Sequence, residues 1–231
     1  MTGAQTPRGC GPEAGHAQFQ NPEIRWGKLG DAADIARLFL ISSDGLAAYI
    51  WARHAQNGEP VEEVGAARYA RSGTAFSYEN CILATQGGET VGMIHAFEMP
   101  EPDAEEPESD PVLAPYAALE DPGSLYISGL AVRPDFRSHG IGGLLLDCIE
   151  ALALMRALPR LSLICFEQNV LARDFYIRGY TVADRRPLVP HPSLHYTEGD
   201  ALSMVRPVMG AVTRPETPDE VSISTYVGTT D

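Results

Sequence analysis

Arg137-Ser-His-Gly140-Ile-Gly142-Gly143 sets a cation and three glycines at the junction of an apolar run, Leu125 to Val132, and an apolar-striped segment reaching Met155. The run reads as a strand and the segment as a helix, so the junction is a glycine-rich turn that opens a helix. Backbone N–H groups at a helix start lack intrahelical partners, and where glycine leaves them unobstructed they bind phosphate; Arg137 adds positive charge. A phosphate-bearing cofactor is the first expectation. Two better-known phosphate loops lose their support at single positions. A dinucleotide fingerprint from Gly140 would need glycine where Leu145 stands, and a nucleoside-triphosphate loop would need lysine where Leu144 follows Gly143.

A second block lies downstream. Arg160 to Cys165 reads as a buried strand, and Phe166-Glu-Gln-Asn169 leads into a helix from Val170 to Arg178 that stops at Gly179. Asn169 suits the N-cap and Gly179 the left-handed position beyond the C-terminus. Asn169 and Tyr176 are two helical turns apart and share a side. Taken alone, Phe175-Tyr176 on a helix fits a packed core better than a site.

Together, Arg137-x-x-Gly140-x-Gly142 and Asn169-x-x-Ala172-x-x-Phe175-Tyr176-x-x-Gly179-Tyr180 resemble the GNAT superfamily of acyl-CoA-dependent N-acetyltransferases. The resemblance covers roughly residues 22 to 207, with its specific motifs in 125 to 180. It implies a GNAT fold, an α/β (mixed α+β) domain whose twisted mixed β-sheet carries helices on both faces. It implies acetyl-CoA as co-substrate; with no Cys-x-x-Cys pair and no His-Glu-x-x-His in the chain, no metal is expected. The pyrophosphate of coenzyme A would be wrapped by Arg137, Ser138, His139, Gly140, Ile141, Gly142 and Gly143. Asn169 would contact the pantetheine arm, and Tyr176 would reach the sulfur and protonate the leaving thiolate. A bulge in the preceding strand, most easily tolerated at Gly129, would free the backbone of Leu130, Ala131 and Val132 to hold the acyl carbonyl and the pantetheine amides. Two other readings share the loop: a catalytically silent acyl-CoA sensor, and an acyltransferase using a longer acyl chain or an oxygen acceptor.

One departure concerns the base. Many relatives carry a carboxylate at about Ser128 or Gly129, and this chain has none there. By chemistry the alternatives are Glu98, His95, Glu167, His191 and His195, with ordered water as a further route for the proton.

The resemblance implies a primary amine of a small molecule or peptide as acceptor. The chain holds 17 basic and 31 acidic residues, a formal charge of −14, which argues against nucleic-acid binding and mildly favours a cationic acceptor. Much of that charge lies in Glu101 to Asp110, six acids in ten residues, which reads as a solvated loop. No apolar run approaches the roughly 18 residues of a membrane span, so no membrane association is expected. The N-terminus lacks the pattern of a secretory leader, and a cytoplasmic location follows. Cys81, Cys148 and Cys165 sit in apolar patterns, and reduced thiols are expected. His191 and His195 are four residues apart, but Pro190 and Pro192 flank the first, which argues against a helical metal-ligand pair. A homodimer stays open.

The elements that must position these residues begin after a leader, residues 1–21. Ile24 to Trp26 reads as a strand, and Asp31 as the N-cap of a helix carrying Ile35, Leu38 and Phe39. Leu46 to Ala55 and Val61 to Arg71 read as helices, then Asn80 to Thr85 and Thr90 to Phe97 as a hairpin about Gly87-Gly88. Residues 100–123 form an insert with a short helix within Pro111 to Leu119. The helix from Gly140 is expected to pack Ile141, Leu145, Cys148, Leu152 and Met155 on the sheet. Strands follow at Thr181 to Leu188 and Ala201 to Arg206. The domain then spans 22–207 and a tail 208–231, in which Val221 to Val227 alternates like a strand. The acceptor would enter between the Trp51 to Tyr78 region and the His191 to Tyr196 loop. There Tyr49, Trp51, Tyr69 and Tyr78 fit core better than pocket.

Overall fold

Strand β2 (Cys81–Gln86) requires a three-layered molecule, because its first five residues are all buried. Successive strand residues point to opposite faces, so both faces must be covered. Ile82 and Ala84 pack on the side of helix α5 (Ile141–Met155), while Cys81 and Leu83 pack with α1 (Ala32–Ser42), α2 (Leu46–His54) and α3 (Val61–Tyr69). The computed structural model describes residues 21–101 and 108–209; the expected leader, most of the acidic run and the Val221 to Val227 segment lie outside the described residues.

Among the described residues the sheet holds seven strands in the order β1-β2-β3-β4-β5-β7-β6. They are β1 (Glu23–Trp26), β2, β3 (Glu89–Glu98), β4 (Leu125–Val132), β5 (Arg160–Phe166), β6 (Thr181–Pro187) and β7 (Asp200–Pro207). Only β4 and β5 pair in parallel, which requires the crossover that α5 provides. Helix α4 (Ala114–Ala117) lies within the 100–123 insert, and α6 (Val170–Tyr176) joins β5 to β6. The expected mixed sheet with helices on both faces is the fold observed.

Four local expectations are corrected. Asp31 does occupy the N-cap of α1, but its carboxylate accepts from the Lys28 N–H at 2.7 Å and from Arg25 at 2.7 and 2.8 Å, closing the preceding turn instead of the helix. The core stripe of α5 runs Ile141, Leu145, Ile149, Leu152 and Ala153; Met155 is 77 % exposed because the helix ends there, clear of the sheet. Gly179 is not left-handed, and its N–H donates to Tyr176 O at 3.0 Å in a tightened last turn. The bulged residue of β4 is Ser128: His95 pairs with Gly129 and Ala96 with Ile127, leaving Ser128 opposite no partner.

Candidate active site

The Ser128 bulge decides where the cleft opens. A bulge bends its strand and strengthens the local twist. Strands β4 and β5 pair through Leu125–Leu161, Tyr126–Ser162 and Ile127–Leu163 and then part. Gly129 lets α1 close over the bend, because a Cβ there would fall 2.7 Å from Ser42 Oγ and 2.9 Å from the Phe39 ring. The gap between the strands forms part of a cleft of about 1080 Å³.

At one end the wall is the glycine turn. Arg137 Nε donates to Val132 O at 3.0 Å, which folds the turn back on β4. Ser138 (φ 64°) and Gly140 (φ 80°) are left-handed, and the first helical bond, Leu144 N–H to Gly140 O at 3.0 Å, leaves the N–H groups of Ile141, Gly142 and Gly143 without helical partners. No atom would touch a Cβ at Gly140 or Gly143, so this main chain is open to an anion, whereas one at Gly142 would sit 3.3 Å from the Phe175 ring of α6. Arg137, Ser138 and Gly140 to Gly143 all line the cleft; His139 is exposed and outside its wall. A turn of bare N–H groups with an arginine beside it suits a pyrophosphate.

Midway lie Leu130, Ala131 and Val132 on β4, facing Asn169 and Tyr176 across the gap. Asn169 is an N-cap in fact, its Oδ1 accepting from Ala172 N–H at 3.1 Å. Its Nδ2 donates to Asp44 Oδ2 at 2.7 Å, so the side chain is already held on both atoms. Tyr176 is buried against Phe175 and Tyr180, with ring centroids 5.2 and 5.5 Å away, and burial pushes its phenol well above the ordinary tyrosine range. Its hydroxyl is therefore neutral and a hydrogen-bond donor.

The other end is walled by side chains. Phe39 and Trp51, Phe97 and Tyr126, and Tyr116 and Tyr196 border it, with Asp44, Glu108 and Glu120 among them. Burial raises the Asp44 carboxyl above its ordinary value against the lowering effect of Asn169 and His195, and burial with nearby Glu108 raises Glu120. Of the expected aromatics, Trp51 and Tyr69 are buried core, with Trp51 also reaching the cleft; Tyr49 bonds Asp110 and Tyr78 lies beside Ser72 Oγ. The late loop closes on the α1–α2 turn, where His195 N–H donates to Asp44 O at 2.9 Å and a Cβ at Gly45 would meet Ser193 O at 2.0 Å.

Of the candidate bases, Glu98 is an exposed strand end and Glu167 accepts from Asp200 N–H at 3.3 Å. His191 Nδ1 accepts from Ser193 N–H, and His195 lies 3.6 Å from Asp44 with most of its side chain exposed. None of the four lines the cleft. His95 is fully buried, one residue behind the wall, and its Nδ1 lies 2.5 Å from Ser128 Oγ, which does line it. Sequence reading passed over Ser128, Asp44 and the Phe39–Phe97–Tyr126 wall. The adjacent Asp44-Gly45 turn signal was the one clue to Asp44. Among the described residues no His/Cys/Asp/Glu group is arranged to hold a metal ion, and no helix is long and apolar enough to cross a membrane.

This fold and cleft define an acyltransferase of the GNAT type. The model of the Acetyltransferase (GNAT) family matches residues 43–180, more than half of the chain, and the chain belongs to that family. No curated protein matches the sequence. Among solved structures, the chain is similar to an acetyltransferase (19 % identity, 80 % of this chain and 99 % of that one, TM-score 0.56). It is similar to an N-acetyltransferase from Staphylococcus aureus Mu50 (16 %, 79 % and 99 %, 0.54). It is also similar to yncA, a putative acetyltransferase from Salmonella typhimurium solved with its cofactor acetyl-CoA (15 %, 87 % and 100 %, 0.54). At these identities the likeness carries the fold alone.

Proposed function

We propose that the protein transfers an acetyl group from acetyl-CoA directly to a primary amine of a small molecule or peptide, acting in the cytoplasm through a catalytic domain at 22–207. The observation that carries this reading is the continuity of one cleft. It runs from the open N–H groups at Gly140 to Gly143, along the freed edge of β4 at Leu130 to Val132, to the Tyr176 side chain. A bound acetyl-CoA supplies an activated thioester carbonyl. Arg137 and the turn amides hold its pyrophosphate; the β4 backbone orients the pantetheine and polarises the carbonyl. Tyr176, kept neutral by burial, donates to the sulfur as it leaves. Asn169 already uses both side-chain atoms, so its part is to fix the start of α6 and thereby Tyr176.

The test has two stages. Acetyl-CoA should raise the melting temperature while NAD and ATP do not; equal responses would reject the cofactor assignment. Free-thiol release from acetyl-CoA across an amine panel should then exceed the amine-free rate for at least one class. A thermal shift with no release for any amine would favour an acyl-CoA sensor.

A further inference from the structure

His95 is enclosed by aromatic rings: Phe39, Tyr69, Phe76 and Phe97 have centroids within 6.0, 5.3, 5.2 and 5.6 Å of its own. Its two nitrogens nevertheless have partners. Nε2 lies 2.9 Å from the Ala75 carbonyl oxygen and Nδ1 lies 2.5 Å from Ser128 Oγ. A carbonyl can only accept, so Nε2 carries the hydrogen in the neutral ring and Nδ1 is a bare acceptor. Ser128 must then donate its hydroxyl hydrogen inward. This orientation leaves the oxygen lone pairs of Ser128 free toward the cleft that the residue lines.

We propose that Ser128 receives the proton of the acceptor amine, with His95 as the positioning residue that orients the serine hydroxyl and takes its proton. The proposal rests on the acetyl-transfer reading above. It answers the absence of a carboxylate on β4, because the bulge sets a hydroxyl there instead. The amine enters uncharged, having left its ammonium proton in solvent. Its lone pair forms the C–N bond to the acyl carbon. The nitrogen's proton passes to Ser128 Oγ as the serine's own hydrogen passes to His95 Nδ1. The C–S bond breaks with its electron pair on sulfur, which takes a proton from Tyr176. Solvent then carries one proton from the imidazolium to the tyrosine, and amide and free thiol are the products.

The charge environment disfavours a resident proton on the ring. Burial, reinforced by the Arg68 guanidinium, holds His95 down to about 4, against the raising effect of the Ala75 carbonyl. Tyr69, whose phenol burial keeps neutral, is the other titratable group packed on the ring. His95 thus stays an acceptor across neutral pH and gives its proton up readily.

Two measurements test this. Nitrogen-15 shifts of the His95 ring should report a neutral Nε2–H tautomer at pH 7; a hydrogen on Nδ1 overturns the relay whatever the acceptor. Thiol release from acetyl-CoA is then followed with 2-phenylethylamine, and with water alone, for wild type, Ser128→Ala, His95→Gln and the double variant. Glutamine retains a donor and an acceptor but cannot take a proton. Ser128→Ala should lower kcat about a hundredfold, His95→Gln at least tenfold, both with the KM for acetyl-CoA unchanged. In the Ser128→Ala background His95→Gln should cost less than twofold. Undiminished turnover in Ser128→Ala, or losses that multiply in the double variant, overturn the proposal. A wild type that neither binds acetyl-CoA nor releases thiol rejects the acetyl-transfer reading instead, and the tautomer then decides the hydroxyl orientation independently.

Discussion

At the Arg137–Gly143 end of the cleft the wall is main chain, whereas at the Asp44–Tyr126 end it is made of side chains drawn from α1, α2, β3, the 100–123 insert, β4 and the late loop. The first end is assembled by seven consecutive residues whose left-handed Ser138 and Gly140 and bare helix start are set locally. The second exists only once the sheet has formed. A main-chain site can be recognised from a short spelling because its glycines are indispensable. A side-chain site has no such signature, and its chemistry changes with any one contributor.

The largest effect expected is at the main-chain end. Gly140→Val puts a β-branched residue at φ 80° and sets a side chain over the open amides. Acetyl-CoA affinity by calorimetry should fall about a hundredfold or more, with strain of about 1–3 kcal/mol lowering stability as well. Retained affinity would break the contrast between the two ends. Next, Tyr176→Phe should lower kcat by about tenfold to a hundredfold while the acetyl-CoA thermal shift persists, which steady-state kinetics and thermal scanning together would show.

The side-chain end should fail differently. A Cβ at Gly65 would lie 2.3 Å from the Trp51 ring, so Gly65→Ala drives Trp51 toward Phe39 and the cleft. Overpacking of this kind costs about 1–3 kcal/mol, and the melting temperature should drop by several degrees with the acetyl-CoA shift intact. Loss of that shift would mean that the two ends are not separable.

The most gradual effect is a pH slope. His95 has a folded value of about 4 against an ordinary 6.5, with Arg68 and neutral Tyr69 as the titratable groups facing it. Between these values the unfolded chain binds the extra proton, so its contribution to stability is complete above pH 6.5 and is lost as pH falls toward 4. Denaturant titrations of His95→Gln should show a shallower loss over that window than wild type. Parallel slopes would remove His95 as their source.

How far the sequence can be read follows the same division. The glycine turn, the Asn169 cap, the Gly87-Gly88 hairpin and the layered sheet were all legible, because local backbone rules or the alternation of buried residues determine them. The displaced bulge was not. Glycine tolerates a bulge best, but Gly129 is used instead for the close approach of Phe39 and Ser42, and the extra residue moves to Ser128. The Ser128–His95 contact spans 33 residues and depends on strand register, which a single sequence does not disclose. Asp44 likewise acquires its role from Asn169, 125 residues away.

Three residue pairs are all that join β4 to β5, with Ser124 and Ser162 hydroxyls 2.6 Å apart beside them. Mechanically the sheet is two stiff plates, β1–β4 and β5–β7–β6, fastened along a short seam near one margin. Torsion between the plates strains that seam while leaving each plate's own ladders intact. Any molecule lying in the notch bridges the plates at the margin far from the seam, where leverage against torsion is greatest. Occupancy should therefore damp motion as far away as the outer strand β6, none of whose own residues lines the cleft.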